Sequence, residues 1–204
     1  MAVQTYLVMD IRYFREKNLS YIVVDNFYTA KELAEIKIET EQIRRFAVGA
    51  SETNTAFDEN GKLKKTGTGL FLDGLYANKR ERSAILTYNR KIFSKEFMDH
   101  VEQFDIVFRF IRESNNDSTL LNYYEEGQEY KSHMDSCRIS AVSFLVEGSL
   151  VGGDFIFPEQ SVSIPCINNR MVIFPSCTEH QAKPVLENGV RISIAQFIDH
   201  VQKI

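Results

Sequence analysis

The sequence predicts an α+β fold, a jelly roll of short strands in the second half supported by helices gathered in the first. Two patterns carry this reading. Up to the turn cluster Ser114–Ser118 the apolar residues recur at helical spacing, and beyond it they fall into short runs broken by turn residues. Size sets the third constraint: 204 residues, 44% of them hydrophobic, suffice for one globular core without disulfides or structural metals. The expected organisation is one domain over 1–204, with helical support over about 1–115 and a barrel core over about 119–198.

The elements follow in order. Tyr21-Ile22-Val23-Val24 is a β-branched run ended by Asp25-Asn26, hence a strand and turn. Thr29 is placed to cap a helix, with Glu32 three positions on completing a capping box. Leu33, Ile36, Ile43 and Phe46 give the amphipathic spacing of a helix over 30–46. Residues 49–69 are rich in Gly, Ser, Thr, Asn and Asp with few apolar anchors, so they read as a long loop, either a functional lid or a disordered insertion. Gly67-Thr68-Gly69 within it lacks both the GxGxxG and the GK[ST] pattern, which argues against a phosphate loop. Residues 80–112 return to helical spacing through Ile85, Tyr88, Ile92, Phe97, Val101, Phe104, Phe108 and Ile111. Strands are then expected at 119–124, 130–135, 139–146, 153–157, 162–164, 170–174, 180–185 and 190–198.

Composition excludes several classes. A formal charge of −4 argues against a nucleic-acid binder, which would carry a basic stripe. No apolar run approaches the roughly 18 residues of a membrane span. The segment Ala2–Met9 contains Gln4 and Thr5 and follows no basic stretch, so a secretory signal is not expected. Cys137, Cys166 and Cys177 form neither a disulfide framework nor a CxxC metal site. The expectation is a soluble, reduced, cytoplasmic protein with no nucleic-acid or membrane partner.

The chemistry rests on few residues. His133-Met134-Asp135 on a predicted strand puts an imidazole and a carboxylate on one face, about 7 Å apart at the backbone. His180 follows at the start of a later strand. Two histidines and one carboxylate form the facial triad of non-haem iron(II) oxygenases. The competing interpretation is polar residues at strand ends with ordinary hydrogen bonds. Arg191 is embedded in the apolar strand Val190–Ile198 and needs an anion, with Ser193 two residues along on the same face. Together they suit a carboxylate, unless Arg191 lies at a sheet edge or pairs with a glutamate. If 180–186 and 191–197 formed a simple hairpin, Arg191 would lie ~20 Å along the ladder from the metal. The site therefore requires the chain to turn a corner between two facing sheets. A thiolate ligand from Cys137 or Cys177 is the weaker alternative, since free cysteines are mostly small hydrophobes. Asp154 and Glu159 read as turn or rim residues, and His100 and His200 as surface residues.

From about Leu120 to Ile198 the sequence resembles the prolyl 4-hydroxylase-like branch of the 2-oxoglutarate and Fe(II)-dependent oxygenases. The matching stretches are Tyr124 to Asp135, Gly152-Gly153-Asp154-Phe155-Ile156-Phe157-Pro158, Phe174-Pro175-Ser176 with Glu179-His180, and Gly189-Val190-Arg191-Ile192-Ser193. The resemblance implies a double-stranded β-helix that holds Fe(II) through His133, Asp135 and His180. It implies 2-oxoglutarate as cosubstrate, chelating the metal and meeting Arg191, Ser193 and Tyr124 with its distal carboxylate. Two points depart from the pattern. Phe144 stands where several relatives carry a tyrosine that reaches the cosubstrate. Tyr123 precedes Tyr124, and strand alternation turns only one of them inward.

The activity so implied is dioxygenase hydroxylation of a C–H bond, with O2 consumed and succinate and CO2 released. Asp135 favours hydroxylation over halogenation, because related halogenases have a small residue there. The expected substrate is a prolyl residue in a protein or peptide, with a free amino acid or other small molecule as the alternative. Ascorbate is a candidate reductant, and the oligomeric state is left open. A catalytically silent jelly-roll binding module is the rival from another class.

Overall fold

The computed structural model describes residues 9–77 and 79–201, so the segment 2–8 that bears on a signal peptide lies outside the described residues. In chain order the strands are β1 (Asp10–Glu16), β2 (Leu19–Asp25), β3 (Val48–Gly49), β4 (Thr68–Phe71), β5 (Asn116–Tyr124) and β6 (Tyr130–His133). They continue with β7 (Ile139–Gly152), β8 (Phe155–Phe157), β9 (Val162–Ile164), β10 (Arg170–Pro175), β11 (His180–Ala182) and β12 (Val185–Asp199). The helices are α1 (Ala30–Ile43), α2 (Leu72–Tyr76), α3 (Ala84–Asn89), α4 (Lys95–Val101) and α5 (Arg109–Glu113). Among the described residues, no helix is long and apolar enough to cross a membrane.

Two sheets face each other. The large one runs β1-β2-β10-β7-β12-β5-β4-β3 and the small one β6-β11-β8-β9. Its period of two sorts each strand of the large sheet into two faces. Ile22, Val24, Leu121, Tyr123, Met171, Ile173, Ile192 and Ile194 join one core with helix residues Ile36, Leu86, Val101 and Phe108. Tyr21, Val23, Val142, Phe144, Val172, Phe174 and Ala195 point the other way and pack against Phe155, Phe157 and Ile164 of the small sheet. Both faces are covered, so β2 and β10 are almost continuously buried. Each fully buried Phe there contributes ~1.5–3 kcal/mol relative to exposure.

Local signals explain the helices. Thr29 Oγ1 accepts from Glu32 N at 3.3 Å while Glu32 Oε2 accepts from Thr29 N at 2.8 Å, the predicted capping box. The helix stops at Ile43 and one 3₁₀ turn, Arg44–Phe46, completes the expected span. Residues 80–112 form short pieces rather than one long helix, because capping side chains restart the backbone. Ser83 Oγ accepts from Leu86 N and Ser94 Oγ from Phe97 N, each fixing a new N-terminus.

Strands β1, β3 and β4 carry no clear sequence pattern and were not expected. The segment 49–69 is neither structureless nor disordered. A 3₁₀ turn (Ala50–Glu52) leads to a narrow loop closed by a Phe57–Leu63 bridge, with Asp58 Oδ1 accepting from Asn60 N and Lys62 N at 2.9 Å each. A second bridge joins Lys65 to Tyr130, tying this segment to β6. Close approach accounts for Gly67: a Cβ there would stand 2.5 Å from Tyr123 O and 2.8 Å from Tyr124 Cδ1.

The corner the site requires is present. Strand β11 pairs with β6 and β8 in the small sheet, whereas β12 pairs with β7 and β5 in the large one. His180 and Arg191 therefore face each other across the sandwich instead of lying far apart on one ladder.

Candidate metal centre and anion pocket

His133 ends β6 and Asp135 lies just past it, so the strand expected over 130–135 is shorter than read. The three donors still converge. One ligand atom from each of His133, Asp135 and His180 lies within 4.8 Å of the others. His133 Nε2 is 3.8 Å from Asp135 Oδ1, and His180 Nε2 is 3.5 Å from Asp135 Oδ2. Ligand atoms at right angles around one metal would stand about 3 Å apart for bonds near 2.1 Å, so a small closure completes a coordination set. No lysine or arginine among the described residues pairs with Asp135, which leaves its charge for a cation.

The imidazoles are oriented for that role. His133 Nδ1 lies 2.8 Å from Lys131 O and His180 Nδ1 lies 2.9 Å from Thr178 O. A carbonyl only accepts, so each Nδ1 carries the proton and each Nε2 presents a lone pair inward. Burial pulls His133 down to about 3, with His180 beside it adding to the effect, and burial also lowers His180. Both rings thus stay neutral and able to ligate at physiological pH. Tyr130 stacks on His133 with ring centroids 3.5 Å apart, and Phe174 meets His180 edge-on at 4.7 Å. Asp135 is held from behind: its Oδ2 accepts from Ser140 Oγ at 2.6 Å and its N–H donates to Ser176 O at 3.0 Å.

Next to the triad lies a cavity of about 400 Å³, lined from both sheets. The large sheet presents the alternate residues Ser118, Leu120, Asn122 and Tyr124 of β5 and Arg191, Ser193 and Ala195 of β12. Arg191 is 1% exposed, and its Nε and Nη1 have no hydrogen-bond partner, nor has the Ser193 hydroxyl. The guanidinium carbon sits 5.0 Å from the Phe144 ring and 5.4 Å from the Tyr124 ring. No glutamate pairs with Arg191 among the described residues, so its counter-ion must come from outside. Buried donors without acceptors are costly. A carboxylate entering the cavity would satisfy them, and 2-oxoglutarate carries one at the far end from its metal-chelating group.

The ambiguity between the tyrosines resolves on register. Tyr124 is opposite Arg191 and Asn122 opposite Ser193, so both line the cavity. Tyr123 faces the helices and donates to Thr40 O at 2.6 Å. Burial keeps the Tyr124 phenol well above its usual range, so it remains a hydrogen-bond donor. Phe144 supplies no hydroxyl, but its ring forms a floor beneath Arg191.

The other candidates fall away from the centre. Cys177 is exposed, and Cys137 Sγ contacts Ser176 Oγ at 2.8 Å rather than joining the donor cluster. Asp154 Oδ2 accepts from Ser163 Oγ, a turn contact, and His100 and His200 are exposed. Sequence reading missed Ser140, Tyr130, Asn122 and Lys65. Lys65 lies in a turn-rich stretch beside Lys64, which has the pattern of a solvated surface.

The model of the 2OG-Fe(II) oxygenase superfamily matches residues 119–199. No curated protein matches the chain in sequence. Among solved structures, a prolyl-4-hydroxylase from Pseudomonas putida shares 14% identity with a TM-score of 0.63, over 91% of this chain and 95% of that one. A viral collagen prolyl hydroxylase from Paramecium Bursaria Chlorella virus-1, solved as a 2OG complex, shares 16% with a TM-score of 0.56, over 89% and 96%. A Trichoplax adhaerens prolyl hydroxylase, in complex with a hypoxia inducible factor oxygen degradation domain peptide fragment, shares 16% with a TM-score of 0.58, over 88% and 83%. At such identities these likenesses speak for a common fold, the double-stranded β-helix expected from the sequence. The superfamily brings with it Fe(II), 2-oxoglutarate and O2, and the donor triad and the anion-seeking cavity suit the first two. Residues 119–199 thus match the 2OG-Fe(II) oxygenase superfamily, with the His133, Asp135 and His180 donors inside the matched stretch, and the chain as a whole has the fold of the prolyl 4-hydroxylases it resembles.

Proposed function

We propose that this dioxygenase hydroxylates a C–H bond of a prolyl residue in a peptide or protein, with His133, Asp135 and His180 as its metal ligands. Arg191, Ser193 and Tyr124 are assigned to the distal carboxylate of 2-oxoglutarate. The observation that carries the assignment is the buried Arg191 with two unpartnered donors, opening on the same cavity as the three metal donors. A silent binding module has no need of that combination.

Fe(II) held by His133, Asp135 and His180 would let O2 act as the oxidant, with 2-oxoglutarate as co-reductant: one oxygen atom would enter succinate as CO2 leaves, and the other the substrate C–H bond. The chain does the rest. The Nδ1 protons held on Lys131 O and Thr178 O keep both imidazoles pointing their lone pairs at the metal position. The Arg191 fork and the Ser193 hydroxyl fix the cosubstrate at one end, so that its chelating end is presented in one orientation. Tyr130 and Phe155 wall the cavity and restrict water around the ligands.

A polypeptide substrate is favoured by the rim. Met134, between two of the ligands and on the cavity lining, is 63% exposed, and Phe57, next in the chain to the lining residue Ala56, is 62% exposed. Apolar side chains so placed offer contact to an extended chain laid across the opening. The prolyl hydroxylase neighbours support the same reading, one of them having been solved with a peptide.

The test is succinate release from 2-oxoglutarate with Fe(II), in the presence of proline-containing peptides and, separately, of free amino acids. His133→Ala, Asp135→Ala and His180→Ala should each abolish it and lower iron content, whereas His100→Ala and His200→Ala should not. An active His180→Ala enzyme at limiting iron would overturn the ligand assignment.

A further inference from the structure

One more cation opens on the cavity, and neither the metal nor the cosubstrate uses it. Lys65 is 2% exposed. Its Nζ donates to Asn122 Oδ1 at 2.8 Å and to Thr53 Oγ1 at 2.9 Å, both neutral groups. An ammonium has three protons to donate, so one is left over. No acid among the described residues offsets its burial, and desolvation pulls its pKa down to about 8. A lysine buried without an anion is rare. It lines the same cavity as the triad and Arg191.

The space around it is kept open. A Cβ at Gly69 would stand 2.8 Å from Asn122 Oδ1 and 3.1 Å from Lys65 Nζ, so only glycine leaves the pair undisturbed. Lys65 is bridged through its backbone to Tyr130, whose ring covers His133. It is therefore placed beside the metal centre. Asn122 is opposite Ser193, two residues along the ladder from the Tyr124–Arg191 pair. That places the Lys65 ammonium at the Asn122–Ser193 row of the cavity wall, the row next to Tyr124–Arg191, the two rows being about 7 Å apart at the backbone.

Charge counting assigns the remaining role. 2-Oxoglutarate brings two carboxylates, one for the metal and one for Arg191. Resting on the dioxygenase reading above, we propose that Lys65 binds a carboxylate of the substrate being oxidised, and so selects an acid-bearing substrate. That carboxylate has three sources: a free amino acid, a peptide C-terminus, or an Asp or Glu side chain next to the target residue. Binding would return a counter-ion to the ammonium and link the substrate, through Thr53, to the 50–56 segment.

The experiment measures binding by calorimetry to the full chain loaded with Fe(II) and 2-oxoglutarate under nitrogen, where no turnover occurs. Probes come in pairs differing in one carboxylate: L-proline and L-prolinamide, a proline-containing peptide as free acid and as amide, and the same amidated peptide with Glu or Gln beside the proline. The expected result is a preference of roughly 30-fold or more for the acid in one pair, which names the source. In Lys65→Met this preference should fall to within about threefold, and Lys65→Arg should keep part of it, while 2-oxoglutarate affinity stays nearly unchanged. Equal affinity within every wild-type pair, including no binding of either member, overturns the proposal without any variant. A preference that survives Lys65→Met overturns it too. So does a loss of 2-oxoglutarate affinity in Lys65→Met as large as in Arg191→Met, which would place Lys65 at the cosubstrate. Failure of the dioxygenase reading looks different: the wild-type protein would then neither bind 2-oxoglutarate nor release succinate.

Discussion

Ser140 Oγ donates to Asp135 Oδ2 at 2.6 Å, and a second hydroxyl, Ser176 Oγ, stands 2.9 Å behind it. The carboxylate is thus held with Oδ1 toward His133 Nε2 and Oδ2 toward His180 Nε2. Loss of such a support costs a metal site typically 10- to 100-fold in affinity or activity, by the general behaviour of groups behind metal ligands. Ser140→Ala should therefore raise the iron concentration for half-maximal succinate release by about that factor, with 2-oxoglutarate affinity at saturating iron unchanged. Wild-type iron dependence in the variant would show that Asp135 holds its orientation without the serine.

Arg191 has no acid among the described residues to pair with, and this separates a ligand-binding arginine from a structural one. Truncating one member of a buried charge pair costs ~2–5 kcal/mol. Arg191→Met should weaken 2-oxoglutarate binding by roughly 30-fold to a few thousand-fold, and iron binding should change little. The thermal midpoint of the variant without ligand should hold or rise, since an unpaired buried charge has been removed. Normal 2-oxoglutarate affinity with a lowered midpoint would refute the carboxylate assignment.

The bridged loop between Ala56 and Lys64 joins two segments that line the cavity, through Ala56 on one side and Lys65 on the other, and it carries the exposed Phe57. Replacing residues 57–63 by a short turn should lower peptide hydroxylation much more than background decarboxylation, because loops of this kind exclude water and complete the site. Product and succinate measured together give the ratio. Equal loss of both, or of neither, would make the loop a structural ornament of the edge strands.

Lys65 makes stability depend on pH in a defined direction. Burial holds its folded-state pKa near 8, below the ordinary 10.5. Between those values the unfolded chain binds more protons than the folded one, so stability rises with pH across this window. Below about 8 the cost of burying the charge is present in full, and above about 10.5 it is gone, a difference on the order of 3 kcal/mol. Denaturation midpoints of wild type and Lys65→Met from pH 7 to 10.5 should therefore converge as pH rises. Parallel curves would mean that the folded protein does not depress this lysine.

The metal ligands were readable because the evidence for them is local. His133 and Asp135 share a face by spacing alone, and Phe174-Pro175-Ser176 marks the approach to His180. Arg191 was legible for another reason: a charge inside an apolar strand states its need for an anion whatever the fold. The capping box at Thr29 and Glu32 likewise involves only neighbours in sequence. Long-range register decided everything else. Which tyrosine faces the cavity depends on the pairing of β5 with β12, and a slip of one residue would exchange Tyr123 for Tyr124. Whether His180 could reach the region of Arg191 depended on β11 and β12 lying in different sheets, a corner that no local propensity encodes. Edge strands β1 and β3 have a partner on one side only, and the four-residue β4 lies between β5 and the two-residue β3, so their order comes from the sheet they join. Lys65 was hidden for the same reason. In sequence it is one of two adjacent lysines in a polar stretch, and only the glycine-lined approach of β4 to Asn122 takes it out of water. A charge becomes chemically distinctive through what surrounds it, and those surroundings exist only once the two sheets have closed.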